Sequence, residues 1–318
     1  MNTGEGNDII DGSRVNYGSY AEYGGLYNSG TLNTGEGDDT ITGSGTEFGF
    51  LSEDGTLNTE DGNDIITFSG RDRGILLYEF SNFERSTLNT GEGNDIITGI
   101  GSKYGINNGI TVNTGNGQDS IISEGSFINY GKVLLGYGND SIVAKAYYDR
   151  TLDNKNTIDT GDGNDTITIT GVIYNEGVIN TGDGDDSIVV DGGFDEITGA
   201  TYGIYNNGGT IITGNGNDSI IANESFKSGS NSSGAWFLGE GEDYIKGFGS
   251  GDFYGGSGND TLELTPGSYT VEIWGEGDTS VIFTSGNSLM ITSEFEKLIV
   301  GSTTYDFTSL TAGQIIDV

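Results

Sequence analysis

Thr3-Gly4-Glu5-Gly6-Asn7-Asp8-Ile9-Ile10 sets a pattern to which the chain keeps returning. Near copies read TGEGDDTI (34–41), TEDGNDII (59–66), TGEGNDII (90–97), TGNGQDSI (114–121), TGDGNDTI (160–167), TGDGDDSI (181–188) and TGNGNDSI (213–220). Looser copies are LGYGNDSI (135–142), LGEGEDYI (238–245) and GGSGNDTL (255–262). The shared frame is x-G-x-G-x-D-x-U, with U aliphatic. Its aspartates are Asp8, Asp39, Asp64, Asp95, Asp119, Asp140, Asp165, Asp186, Asp218, Asp243 and Asp260, spaced 17 to 32 residues apart. Periods of that size are the signature of a solenoid, in which each repeat buries its apolar side against the next.

Two apolar rows keep the same frame. Two residues after each Asp come Ile10, Ile41, Ile66, Ile97, Ile121, Ile142, Ile167, Ile188, Ile220, Ile245 and Leu262. Seven residues before each Asp, from the second copy on, come Leu32, Leu57, Leu88, Val112, Val133, Ile158, Ile179, Ile211, Trp236 and Phe253. Aliphatic residues alternating with small polar ones predict short strands with one face inward. Nine residues before the Asp there is often a glycine, as at Gly30, Gly131, Gly177 and Gly209, with Asn just upstream at Asn28 and Asn175. Asn and Gly suit tight turns of positive φ. Each repeat is therefore expected to have an acidic turn edge and a neutral one. Stacked about 4.8 Å apart, eleven repeats would form a rod roughly 50 Å long.

The frame resembles the nonapeptide G-G-x-G-x-D-x-U-x of RTX (repeats-in-toxin) proteins, the hemolysin-type calcium-binding repeat. Gly255 to Glu263 matches all nine places, most other copies put Thr first, and Thr59-Glu60-Asp61 also loses a glycine. The resemblance implies an all-β fold: a right-handed parallel β-roll, or β-solenoid, of about eleven coils with Ca²⁺-binding turns on one edge. It implies that several Ca²⁺ ions sit between adjacent coils, held by turn carbonyls and by the eleven aspartates above. Asp252, in GSGDFY, is expected to start a second row of metal ligands.

Composition agrees with a hard cation. The 318-residue chain carries 48 acidic and 12 basic side chains, a net charge of -36, and has neither His nor Cys. Nucleic acid is excluded as a natural partner because phosphate needs Lys and Arg. Carboxylates without imidazole or thiolate favour Ca²⁺ over Zn²⁺ or Cu²⁺. Stacked carboxylates repel by about 1 kcal/mol per neighbouring pair even in water. A bound cation reverses that sign, so the chain is expected to be disordered without Ca²⁺ and folded with it. No apolar run approaches the ~18 residues of a membrane span, and Met1 to Gly4, already inside a repeat, are not expected to belong to a signal peptide. A monomer, or a module of a longer chain, is expected.

Most repeats carry extra length, rich in Tyr, Phe and Gly, such as 15–28 and 145–155. A third inward position is expected thirteen residues before the Asp, at Leu26, Leu51, Ile106, Phe127, Leu152, Ile173 and Tyr205. The chain thus divides into a roll over 1–265 and capping strands over 266–318, where Gly275-Glu276-Gly277-Asp278 echoes the motif. The tail also resembles the C-terminal segment of secreted RTX proteins, which implies a type I secretion apparatus as partner and a secreted or cell-surface location.

Other readings are available. Without His or Cys, Ser-His-Asp and Cys-His catalysis are absent, and a glycoside hydrolase would need a carboxylate pair outside the frame. Recurring Asn-Thr pairs, as at Asn33-Thr34 and Asn58-Thr59, would suit an ice-binding face, and the aromatic inserts would suit a carbohydrate-binding one.

Overall fold

A computed structural model describes residues 1–12, 24–79, 86–229, 234–275 and 280–318. The segment 276–279, most of the 15–28 insert and the side chains of 147–149 lie outside the described residues, so the motif echo there carries no structural account. The fold is all-β, and among the described residues the sole helical turn is the 3₁₀ segment Phe307–Ser309. Among the described residues no helix is long and apolar enough to cross a membrane.

The strand after each aspartate pairs in parallel with its counterpart in the next repeat. The register joins Ile10, Ile41, Ile66, Ile97, Ile121, Ile142, Ile167, Ile188, Ile220, Ile245 and Leu262 in one unbroken row. All but Ile10 (8% exposed) and Ile97 are essentially sealed from solvent. The strand before each motif is three residues long in most repeats and forms a second parallel sheet. Its centre row runs from Leu32 through Leu57, Leu88, Val112, Val133, Ile158, Ile179, Ile211 and Trp236 to Phe253. Alternation makes each strand present one buried residue between two partly exposed ones, as in Thr56–Asn58. The parallel stack is solenoid-like, with both rows in one continuous core.

The extra residues do not all loop outward. In Ile96–Asn108, Ser120–Asn129, Ser141–Asn154 and Thr166–Asn175 they extend the first sheet. Register shifts bend the first three of these strands at mid-length. A third inward row results: Leu26, Phe50, Ile75, Ile106, Phe127, Leu152, Ile173, Ile204 and Phe226. Two expected members are displaced by one residue. Leu51 pairs with Tyr27, and Tyr205 with Tyr174, because inserts of unequal length make counting back from the Asp unreliable. Phe50 and Ile204 hold the inward places instead.

One insert stands apart as a hairpin of Gly193–Asp195 and Ala200–Tyr202. Asp195 is fully buried, accepts the amides of Ile197 and Thr198, and faces Arg150 at 3.5 Å. The Arg150 guanidinium lies 3.2 Å from the centre of the Tyr174 ring.

Both sheets run on past residue 265. Ser288–Ser293 adds in parallel to Gly251–Gly258, and Lys297–Val300 to Thr261–Leu264. The remaining strands are antiparallel: Ser268–Trp274, Ser280–Ser285 and Ile315–Asp317 in one sheet, Thr303–Asp306 in the other.

Candidate metal-binding edge

The acidic turns stack because glycine lets them approach. Gly161, at φ 96°, lies so close to the preceding turn that a Cβ would fall 1.7 Å from the Gly136 carbonyl oxygen. Glu60, where the motif loses this glycine, adopts φ 64° and keeps the turn.

Within this stack the eleven frame aspartates form a single row. The amide of each Asp donates to Oδ1 of the Asp one repeat on, at 2.7–2.9 Å, from Asp8→Asp39 through Asp243→Asp260. The side chains therefore bridge repeats rather than closing their own turns, as an Asx turn would. From Asp39 to Asp260 each is at most 2% exposed. In all eleven, Oδ2 is buried and has no hydrogen-bond partner.

The threonine that usually replaces the first glycine, which in the Asn-Thr pairs would have suited an exposed ice-binding face, points inward instead. Thr34, Thr59, Thr90, Thr114, Thr160, Thr181 and Thr213 are fully buried. In the last repeat, which keeps Gly255, a Cβ at that position would stand 2.8 Å from Asp260 Oδ2. The threonine side chain thus fills the space beside the carboxylate. Its hydroxyl donates to the carbonyl of the next repeat's threonine, as from Thr160 to Thr181 at 3.1 Å, and so leaves Oδ2 of the aspartate without that proton. The buried side of the Asn-Thr pairs is explained by the same packing.

Burial, followed by smaller contributions that include like charges along the row, drives these carboxyls out of the usual range. Asp95, Asp140, Asp186 and Asp243 are pushed up to about 7, and Asp64, Asp165 and Asp260 to about 6. Asp119 and Asp218 are raised as well.

A second ladder runs outside the first, in the opposite sense. Residues at the fifth motif position donate their amides back to the preceding repeat, as in Asp38→Asn7, Asn63→Asp38, Asn94→Asn63 and Asn217→Asp185, at 2.7–3.0 Å. On the neutral edge the asparagines do not take positive φ, nor do Gly30, Gly131, Gly177 and Gly209. Instead Asn108, Asn129, Asn154, Asn175 and Asn206 are sealed inside; each of the first four donates its side-chain amide to Oδ1 of the next at 2.8–3.0 Å, and Asn206 donates to the Ala235 carbonyl at 3.1 Å. A short polar side chain that can both give and accept satisfies the turn from within.

Asp252 stands elsewhere. It lies in the second sheet, paired with Ala235 and Ile291, with no acidic neighbour in its row. Conversely, the sequence frame missed Glu296. Lys297 aligns with Thr261, so Glu296 takes the place of the next aspartate, and its Oε2 accepts the Asp260 amide at 2.7 Å. The signal was present as Glu-x-Leu in place of Asp-x-Leu.

The donor type fits a hard divalent cation: carboxylate oxygens that are buried and unpartnered, in turns stacked closely through glycine. Among the described residues no three acidic side chains converge, so such an ion would draw much of its shell from the backbone. No protein-family model and no curated protein sequence matches the chain.

Proposed function

We propose that this chain is a calcium-binding β-roll of RTX type, a right-handed stack of eleven coils closed by the C-terminal strands, serving a secreted or surface-attached protein as a structural or adhesive module. The eleven buried Oδ2 atoms without a partner carry the reading. A buried carboxylate oxygen left bare is costly unless a cation or a proton meets it. Calcium bound there would supply the missing positive charge. The chain's own residues would prepare the place: glycines bring the turns together, Oδ1 fixes each carboxylate through a neighbouring amide, and threonine excludes water beside it. Extracellular calcium would then favour folding after passage through a type I secretion apparatus.

Far-UV circular dichroism across a calcium titration, with magnesium as control, tests this. A cooperative gain of β-signal at sub-millimolar to millimolar Ca²⁺, absent with Mg²⁺, is expected. A β-spectrum indifferent to chelator and to calcium would assign the row to hydrogen bonding alone, since every Oδ1 from Asp39 to Asp260 is already used in that way.

A further inference from the structure

The two ends of the acidic edge differ. At the last repeat the Asp260 amide is already met by Glu296 Oε2, and antiparallel strands close both sheets. The first turn has no such cover. Residues 1–7 are exposed, and Ile9 is 80% exposed, against 43% for Ile65 and 37% for Ile96 in the same row. The difference is surface that one more strand on the open side would hide.

The first turn nevertheless keeps the geometry of an interior one. Gly4 and Gly6 have φ of 109° and 104°, yet a Cβ on either would meet nothing within 4 Å. From Gly35 to Gly256, wherever the second motif position keeps its glycine, a Cβ would fall 1.7–2.0 Å from a carbonyl oxygen of the preceding turn. Three recurring bonds join neighbouring turns. The second motif glycine donates its amide to the third-position carbonyl of the next turn, as in Gly6→Glu36 at 2.7 Å and Gly37→Asp61 at 2.8 Å. The aspartate amide donates to the next Oδ1, and the fifth-position amide donates back to the preceding side chain. In the first turn the atoms that would complete these bonds are the Glu5 carbonyl, Asp8 Oδ1 and the Asn7 amide. None of the three has a hydrogen-bond partner among the described residues.

We propose that the turn from Thr3 to Ile10 is a docking site for a glycine-rich turn of the same x-G-x-G-x-D frame on another polypeptide, which adds in parallel as one more coil. Adding a strand to an open sheet edge is a general mode of peptide recognition, with main-chain bonds supplying the affinity. Here the unfilled acceptors and donor repeat the interface found between every pair of neighbouring turns, so the frame itself sets the register. A second copy of this chain does not fit. Its own first turn would bring carbonyl against carbonyl and carboxylate against carboxylate, and its last frame amide is taken by Glu296. The docking contacts are hydrogen bonds, so the inference does not rest on the calcium reading.

The test is fluorescence anisotropy of a labelled peptide with the sequence of residues 114–134, whose motif holds a single acid, titrated with the full chain in saturating calcium. Saturable binding is expected. The same peptide with Gly117→Pro lacks the amide that would reach the Glu5 carbonyl and should bind at least tenfold more weakly. The chain variant Gly4→Asn should also bind the original peptide at least tenfold more weakly, because its Cβ takes the space that the incoming carbonyl needs. Asn is among the residues most tolerant of positive φ, so its circular dichroism should match the parent's. No binding by the parent chain, or unchanged affinity in either variant, overturns the proposal. If Gly4→Asn fails to fold, disulfide trapping decides. Third-position residues pair between neighbouring turns, as Glu92 does with Asn116, and the chain has no thiol of its own. Glu5→Cys should therefore cross-link to the peptide carrying Asn116→Cys, and a yield no higher than that of a Ser302→Cys control would overturn the assignment. A doubled mass of the parent chain in sedimentation without peptide would give the edge to a second copy and overturn it as well.

Discussion

The amide of Asp140 donates to Oδ1 of Asp165, twenty-five residues later, at 2.7 Å, while Oδ2 of the same Asp165 carboxylate is buried without a partner. One oxygen holds the stack together and the other strains it. The predictions that follow separate these two roles.

In chelator, stability should rise as pH falls. Seven of the row's carboxyls have folded pKa values raised to about 6 or 7, above the ordinary carboxylate range. A raised acid destabilises the fold while charged, and protonation through pH 7 to 5 removes that penalty. The gain is complete once pH reaches the unfolded value near 4. In EDTA, the β-signal read by circular dichroism should therefore grow as pH is lowered from 8 to 5. Saturating calcium should flatten or invert the trend, because protons then compete with the ion.

Asp140→Asn should change sign with calcium. The amide oxygen keeps the bond from Asp119, and the charge between Asp119 and Asp165 disappears. Without calcium the variant should gain on the order of 1 kcal/mol. With calcium a hundredfold above its dissociation constant it should lose about 2.7 kcal/mol for each ion forfeited. Paired urea titrations give both numbers.

Gly161→Ala and Gly30→Ala should part company. The first forces a Cβ against the Gly136 carbonyl at φ 96° and should cost about 3 kcal/mol or more. Gly30 has open space and no positive φ, so alanine there should stay within about 0.5 kcal/mol of the parent or stabilise slightly.

Asn154→Ala should lower stability by about 2–3 kcal/mol with calcium present or absent. It removes donations to Asn175 and Val178 and the acceptor used by Asn129. Independence from calcium, read in the same denaturation series, distinguishes the neutral edge from the acidic one.

Asp195→Ala should free the hairpin of Gly193–Asp195 and Ala200–Tyr202. It leaves Arg150, largely buried over Tyr174, without that partner, a loss of about 3 kcal/mol. Limited proteolysis should cut within 193–202 before the stack itself.

Much of this architecture was legible because its two apolar rows obey one local rule: an aliphatic residue at a fixed offset from a turn. The Asp row was found for the same reason. What escaped was whatever depended on the variable stretch between frames. Leu51 and Tyr205 were assigned inward by counting through inserts, whereas Phe50 and Ile204 are inward because strand pairing, not residue number, sets the face. Asn28 and Asn175 do close their turns, accepting the amides of Gly30 and Gly177, but nothing in the local sequence showed that Asn175 would also donate to Asn206 one repeat on. Thr160 resembled a tolerated substitute for glycine until its hydroxyl was seen beside Asp165. Glu296 was missed because a longer acid had replaced the expected one, with no glycine ahead of it to mark the turn.

The inner and outer turn ladders run in opposite directions: each repeat offers an aspartate Oδ1 to the repeat before it and an outer acceptor to the repeat after it. Sequence separation along the inner one varies from 17 to 32 residues while its bonds stay at 2.7–2.9 Å. Contour and height are therefore independent quantities in this molecule. Removing everything from one frame aspartate up to the next rejoins chemically identical partners, and adding such a unit does the same. A gene for such a chain can change its copy number by whole units, and the protein's reach grows or shrinks by one strand spacing each time without any new surface having to be invented.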